Sequence, residues 1–161
     1  MTVALRRGSG GYDRAMTSRL DEPAGDLRIS TDPAELDLEW LYPALSERAY
    51  WALGRGRSVF ERSIAGSLVF GAYVGTRQVG FARVITDQAT FAWICDVFVE
   101  ESARGLGVGK RLMAAIVEDP RLQGLKRMLL ATDDAHGLYA QFGFEPLAEP
   151  GTWMARTAPR T

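Results

Sequence analysis

From Ser67 onward the apolar residues stop recurring at helical intervals and begin to alternate at strand intervals, which divides the chain into two patterns. Before that point, residues 27–30 read as a short apolar strand closed by the turn signal Thr31-Asp32-Pro33. Trp40, Leu41, Ala44, Leu45 and Ala49 then recur at helical spacing, with Asp32 or Asp37 available as a cap and Pro43 limiting the regular ladder. Ser58 and Glu61 have the spacing of a capping box, which predicts a short helix over 59–65 stopped by Gly66.

After the change, residues 68–74, a tight turn at Gly75-Thr76-Arg77 and residues 78–85 predict a hairpin. Thr86-Asp87 turns the chain into a third strand, 90–99, rich in aromatic and β-branched residues. Val108, Leu112, Ala115 and Ile116 fall on one helical face, so an amphipathic helix follows and runs to the Asp119-Pro120 stop. A strand over 126–131 comes next. Asp133 or Asp134 is the expected cap of a last helix in which Leu138 and Phe142 share a face and Gly143 ends the turn. Residues 144–147 and 152–156 are weaker strand candidates. The order predicts an α/β (α+β) fold with a mixed, mainly antiparallel central sheet flanked by helices.

Composition narrows what such a fold does. With 161 residues, 47% of them hydrophobic and 24% charged, the chain suffices for one ordinary core. No linker or internal repeat interrupts it, so 26–161 is expected to be a single domain and 1–25, with Gly8 to Gly11, a disordered tail in which Met16 offers a later start. Nineteen basic and 20 acidic side chains leave a net charge of -1, so no broad basic field holds a nucleic-acid backbone. One cysteine, Cys95, and one histidine, His136, do not make a disulfide framework or a structural zinc site, so no metal is expected and a reducing cytoplasm is the expected compartment. Apolar runs are of strand length, so no membrane span is expected, and Arg6, Arg7, Arg14 and Arg19 flank no secretory apolar stretch.

The sharpest motif is the run from Val97 through Arg104-Gly105-Leu106-Gly107-Val108-Gly109-Lys110, a strand, a glycine loop and a helix start. Glycines let successive backbone N–H groups converge, the helix N-terminus adds partial positive charge, and Arg104 and Lys110 add full charges, which together suit a phosphate or pyrophosphate. A tight connection that needs glycine for backbone reasons alone is the competing reading. A P-loop fails, because Arg104 and Arg111 stand where it requires glycine and a hydroxyl residue. A dinucleotide fingerprint fails too, because Lys110 replaces its third glycine and no acid follows near Gly124-Leu125-Lys126.

On these residues the chain resembles the GCN5-related N-acetyltransferase (GNAT) superfamily. The signature Val-x-Pro-x-x-Arg-Gly-x-Gly-x-Gly/Ala is matched from Val99 to Gly109, with Glu101 in the proline position, and Ala135, Tyr139, Gly143 and Phe144 match a second family element. The resemblance extends in element order over 27–156. It implies acetyl-coenzyme A as co-substrate, its pyrophosphate held by the backbone of Arg104, Gly105, Leu106, Gly107, Val108 and Gly109 and by Lys110. It further implies that strands splay beside Asp96 to Val99, where the pantetheine arm pairs like an extra strand.

Acetyl transfer needs a neutral amine, although an alkyl ammonium has a pKa of ~10, so a base must take its proton. An acid near the departing sulfur helps, and N–H groups of Val97 and Phe98 suit the thioester oxygen. Tyr139, at the family position that faces the sulfur, is the expected acid, against a purely packing role beside Leu138 and Phe142. Asp96 is expected to share a strand face with Ile94 and Phe98, opposite Trp93, Cys95 and Val97, and burial there is expected to raise its pKa toward that of a base. Some polyamine-acetylating relatives carry Glu-Asp where this chain has Cys95-Asp96, and a buried structural acid is the equal alternative. His136, one turn before Tyr139, is the rival base through water. A Cys95 acyl-enzyme and a serine-hydrolase elbow are disfavoured.

The resemblance implies that the helical region with Trp40, Tyr50, Trp51, Arg55 and Arg57 covers the acceptor site, with Arg83 and Trp93 on nearby strands; the arginines could pair with a carboxylate or be solvated, and the tryptophans could be core. The expectation is therefore direct acetyl transfer to a primary amine of a small molecule or peptide, with a homodimer allowed. The alternative is a non-catalytic acyl-coenzyme A binding or regulatory module.

Overall fold

The computed structural model describes residues 27–157, so the expectations for the first 25 residues lie outside the described residues. A five-stranded sheet in the order β1-β2-β3-β4-β5 is formed by Leu27–Ser30, Leu68–Val74, Arg77–Thr86, Phe91–Val99 and Arg127–Leu129. All neighbours are antiparallel except β4 and β5, which are parallel. This is the mixed, mainly antiparallel sheet that the alternation predicts.

Helices α1 (Leu38–Ser46) and α2 (Arg57–Ala65) cover one face, burying Leu41, Ala44, Leu45, Phe60 and Ile64 against Val69, Phe81 and Phe98. Asp37 caps α1 by accepting from Trp40 N–H at 3.0 Å. For α2 the expected capping box is absent: Arg57 begins the helix, Gly56 precedes it, and Glu61 turns back to Arg57 at 2.7 Å instead. The acid is drawn to a charged partner in preference to a neutral N–H.

Helix α3 (Val108–Glu118) lies on the other face with Val108, Leu112, Met113 and Ile116 inward. Gly80 of β3 is what lets α3 settle so low, because a Cβ there would stand 2.8 Å from Val108 Cγ1 and 3.2 Å from Ala72 Cβ. The last helix, α4 (His136–Ala140), is only five residues long. Neither Asp133 nor Asp134 caps it; Thr132 Oγ1 takes the Ala135 N–H at 2.9 Å, and Gly143 in the left-handed region closes the segment as expected.

The weaker strand candidates 144–147 and 152–156 do not form. Pro146 has no N–H to give a ladder within 144–147, and a 3-10 turn over Pro150–Thr152 uses the donors of Thr152 and Trp153 on the carbonyls of Glu149 and Pro150. Between α4, β5 and residues 144–147 this leaves a cavity of about 620 Å³.

Gly80→Ala tests the α3 contact. It is expected to lower stability by about 1–3 kcal/mol, as overpacking does, with a lower urea midpoint as the reading; an unchanged or higher midpoint would show that α3 can lift freely.

Candidate active site

Strand β4 lies between β3 and β5, and its two halves differ. Phe91, Ala92 and Trp93 pair with Arg127, Met128 and Leu129 of β5, but β5 ends there and β4 continues to Val99. The β5-facing edge of β4 beyond Trp93 is thus left without a strand partner, as a splayed sheet requires.

At the start of the splay β4 contains a bulge. Phe81 pairs with Phe98 and Arg83 with Cys95, so the single residue Ala82 spans both Asp96 and Val97, and Asp96 has a φ of 52°. The extra residue reverses the alternation. Ile94, Val97 and Val99 all pack in the α3-facing cluster, while Phe98 packs with α1 and α2. The expectation that Asp96 shares a face with Ile94 is therefore corrected, because Ile94 packs with Val97; its place opposite Val97, on the side of Phe98, stands.

Asp96 is 2% exposed and holds four donors. Oδ1 accepts from Trp51 Nε1 at 3.1 Å and Arg55 Nη2 at 3.0 Å, and Oδ2 accepts from Arg55 Nη1 and Arg83 Nε, both at 2.6 Å. Burial pushes this carboxyl up, but the bonds and charges of Arg55 and Arg83 outweigh it and hold the acid below its ordinary value. The expected rise toward a base does not occur. A carboxylate offers about four lone-pair sites, and all four are engaged, so Asp96 has no ready place for a substrate proton. Beside it, burial raises the Cys95 thiol to about 11, which leaves it an inert core residue.

Beyond the bulge, Glu100 closes the strand and opens the glycine loop. Its Oε1 accepts from Arg48 Nη1 at 2.8 Å and from Glu101 N–H at 3.1 Å, and its Oε2 accepts from Trp40 Nε1 at 3.1 Å. Arg48 also lies 5.3 Å from the centre of the Phe98 ring. One carboxylate thus fastens the α1 region to the loop, a role invisible in the spacing because its partners stand 60 and 52 residues away.

In the loop, Gly105 and Gly107 have φ of 83° and 78°, conformations that strain any side chain. Gly107 precedes α3 without a side-chain cap, so the first-turn N–H groups of Val108, Gly109 and Lys110 have no capping side chain. Gly105, Leu106, Gly107 and Lys110 are exposed. Arg104 Nε is buried without a hydrogen-bond partner, a donor that an anion at the loop would satisfy. These residues fit a pyrophosphate.

On α4, Tyr139 is buried in the cluster that holds Val97, Val99 and Val108, with its ring edge-on to Phe144 at 6.2 Å. His136 is exposed, and both residues line the cavity against β5. Among the described residues no group of His, Cys, Asp and Glu side chains has the arrangement of a metal site, and no helix is long and apolar enough to cross a membrane.

The model of the acetyltransferase (GNAT) family matches residues 31–144. The chain belongs to this family. A Gibberella zeae protein whose name assigns it to the acetyltransferases is 31% identical over 139 residues, 73% of this chain and 77% of that one. A GNAT-family crystal structure from Xanthomonas campestris is 47% identical, with a TM-score of 0.80 over 83% of this chain and 94% of its own. Serotonin N-acetyltransferase 2 of rice is 39% identical over 69 residues, 42% of this chain and 34% of that protein. In this GNAT-family chain Glu101, in the proline position of the signature, begins a 3-10 turn, Glu101–Ala103, capped by Glu100.

Asp96→Asn tests the ion cluster. It leaves two guanidiniums facing a neutral group and is expected to destabilise the fold by about 3–5 kcal/mol at neutral pH. Because the folded-state pKa is depressed, the Asp96 contribution is full above the unfolded value of ~4 and lost as pH falls through the folded value. Denaturant midpoints from pH 7 to pH 2 are expected to converge for the two proteins at the acid end; a constant gap would remove the ionised carboxylate from the account.

Proposed function

We propose that this protein is an N-acetyltransferase that moves the acetyl group of acetyl-coenzyme A directly to a primary amine within a ternary complex. The observation that carries the reading is the glycine loop, whose uncapped first-turn N–H groups and unpartnered Arg104 Nε suit a pyrophosphate, lying at the end of the unpaired β4 edge. Val97, Phe98 and Val99 on that edge, followed by Arg104 to Lys110, are the proposed binding residues. When bound, acetyl-coenzyme A supplies an activated thioester.

The chain's own residues then have separate tasks. A backbone N–H on the β5-facing edge of β4 near Val97 stabilises charge on the thioester oxygen. Tyr139 gives its phenolic proton to the departing sulfur; its burial with Val97 and Val99 supports a fixed position for that group. Asp96 is a positioning residue in this scheme, since its oxygens are filled by Trp51, Arg55 and Arg83. The acceptor proton leaves through water toward His136, an exposed imidazole with no hydrogen-bond partner among the described residues.

Tyr139→Phe separates catalysis from binding. General-acid loss predicts a fall in kcat of about 100-fold or more, read as amine-dependent thiol release, with acetyl-coenzyme A affinity by calorimetry kept within about twofold. Unchanged turnover would remove the assignment to Tyr139. Coenzyme binding with no thiol release from any amine, serotonin included, would favour the non-catalytic module.

A further inference from the structure

The cluster around Asp96 is not electrically balanced. Arg55 and Arg83 both bind this one carboxylate, at 2.6 Å each, and neither forms another ion pair among the described residues. The second partner of Arg83 is the Ser67 hydroxyl, at 3.1 Å from Nη1, and Ser67 passes its own proton to Ser63 O. The neighbouring Arg48 and Glu100 pair balances itself. Two guanidiniums against one acid leave a surplus of one positive charge.

That surplus is held where water is scarce. The Arg55 and Arg83 side chains are 17% and 11% exposed. An uncompensated charge in such a setting is unfavourable unless an anion joins it. Donor capacity remains as well: Arg83 Nη2 and Arg55 Nε have no acceptor among the described residues, and the guanidinium fork matches a carboxylate in shape. The cluster assembles from β3, the β4 bulge and the segment joining α1 to α2, and it adjoins Val97, where the proposed transfer takes place.

We infer that the acceptor is a small amino-carboxylate, such as a free amino acid, whose carboxylate docks on Arg55 and Arg83 while its amine is presented to the thioester. The inference rests on the acetyltransferase reading for the identity of the reaction, and on the charge surplus for the class of acceptor. Polyamines are disfavoured on two grounds. A second ammonium meets the surplus positive charge, and Asp96, the one buried acid of the cluster, has no lone pair left to receive it. Trp51 takes up part of that capacity by donating its indole N–H to Oδ1 at 3.1 Å.

The test compares alanine, glutamate, phenylalanine and tryptophan with their carboxamides and decarboxylated amines, using thiol release at saturating acetyl-coenzyme A. At least a tenfold advantage in kcat/KM is expected for the carboxylate form of the best acceptor. Equal or better use of the carboxamide or the plain amine would overturn the inference. Arg55→Gln is expected to shrink that advantage to less than threefold while the KM for acetyl-coenzyme A stays unchanged; Arg55→Lys, which keeps the charge and loses the fork, is expected to retain part of it. Should no acceptor release thiol, the coenzyme-bound protein is titrated calorimetrically with N-acetyl amino acids and their amides. Binding of the acids alone would keep the carboxylate site while removing the enzyme reading, and equal or absent binding would overturn the site itself.

Discussion

The ion cluster on Asp96 determines how the sheet, the α1–α2 layer and the proposed chemistry relate to one another. A bulge in a central strand interrupts the ladder and places a non-glycine residue at positive φ, an arrangement that persists only where its surroundings over-determine it. Here they do so through one side chain. The carboxylate at the bulge gathers a guanidinium from the adjacent strand, and a guanidinium and an indole from the segment between the helices. The same residue that reverses the alternation thereby anchors the elements that cover the acceptor side.

Reversal of the alternation has a second effect. Val97 and Val99 turn toward α3 and Tyr139, and Phe98 turns toward α1, so the three residues after the bulge are gripped from both faces. Their backbone is held firmly while its β5-facing edge stays unpaired. Glu100 continues the restraint by tying Trp40 and Arg48 to the first N–H of the loop. A backbone that must present donors to a ligand needs rigidity, and side-chain packing supplies it where a neighbouring strand does not.

Much of this was legible in the sequence, and the misses have specific causes. The period change at Ser67 marked the meander, and the Val97 to Lys110 run marked the loop, because glycine, strand and helix signals there agree. The bulge left no such trace: one added residue shifts every later side chain to the opposite face, and nothing in the run Ile94-Cys95-Asp96-Val97 marks where the count slips. Reading Asp96 as a prospective base rested on burial in an apolar strand and on its place beside Cys95, when the decisive partners lie 41 and 13 residues away. At the C-terminal end, β-prone residues in 144–147 outweighed Pro146, whose missing donor interrupts a ladder, and nothing in 152–156 signals the 3-10 turn over Pro150–Thr152 that takes up its first donors. The α2 cap was misread because Glu61 had a charged competitor, Arg57, within one turn.

A net charge of -1 gives no global attraction for a highly charged co-substrate, and the two anion sites proposed for this chain draw little on net charge. At the loop the donors are backbone N–H groups, which have no proton to lose and no rotamer to change, so binding there is insensitive to pH and demanding of geometry. At the bulge the donors are guanidiniums, permanently charged, with one positive charge partly cancelled by an acid in their midst. Asp96 therefore lowers the field as well as fixing its direction: two unpaired arginines at this depth would be prohibitively desolvated, whereas two arginines sharing one carboxylate are tolerable and still attract an anion. Evenly matched charges along the sequence are thus compatible with local positive potential, produced by the backbone at one end of β4 and by an uneven ion cluster at its centre.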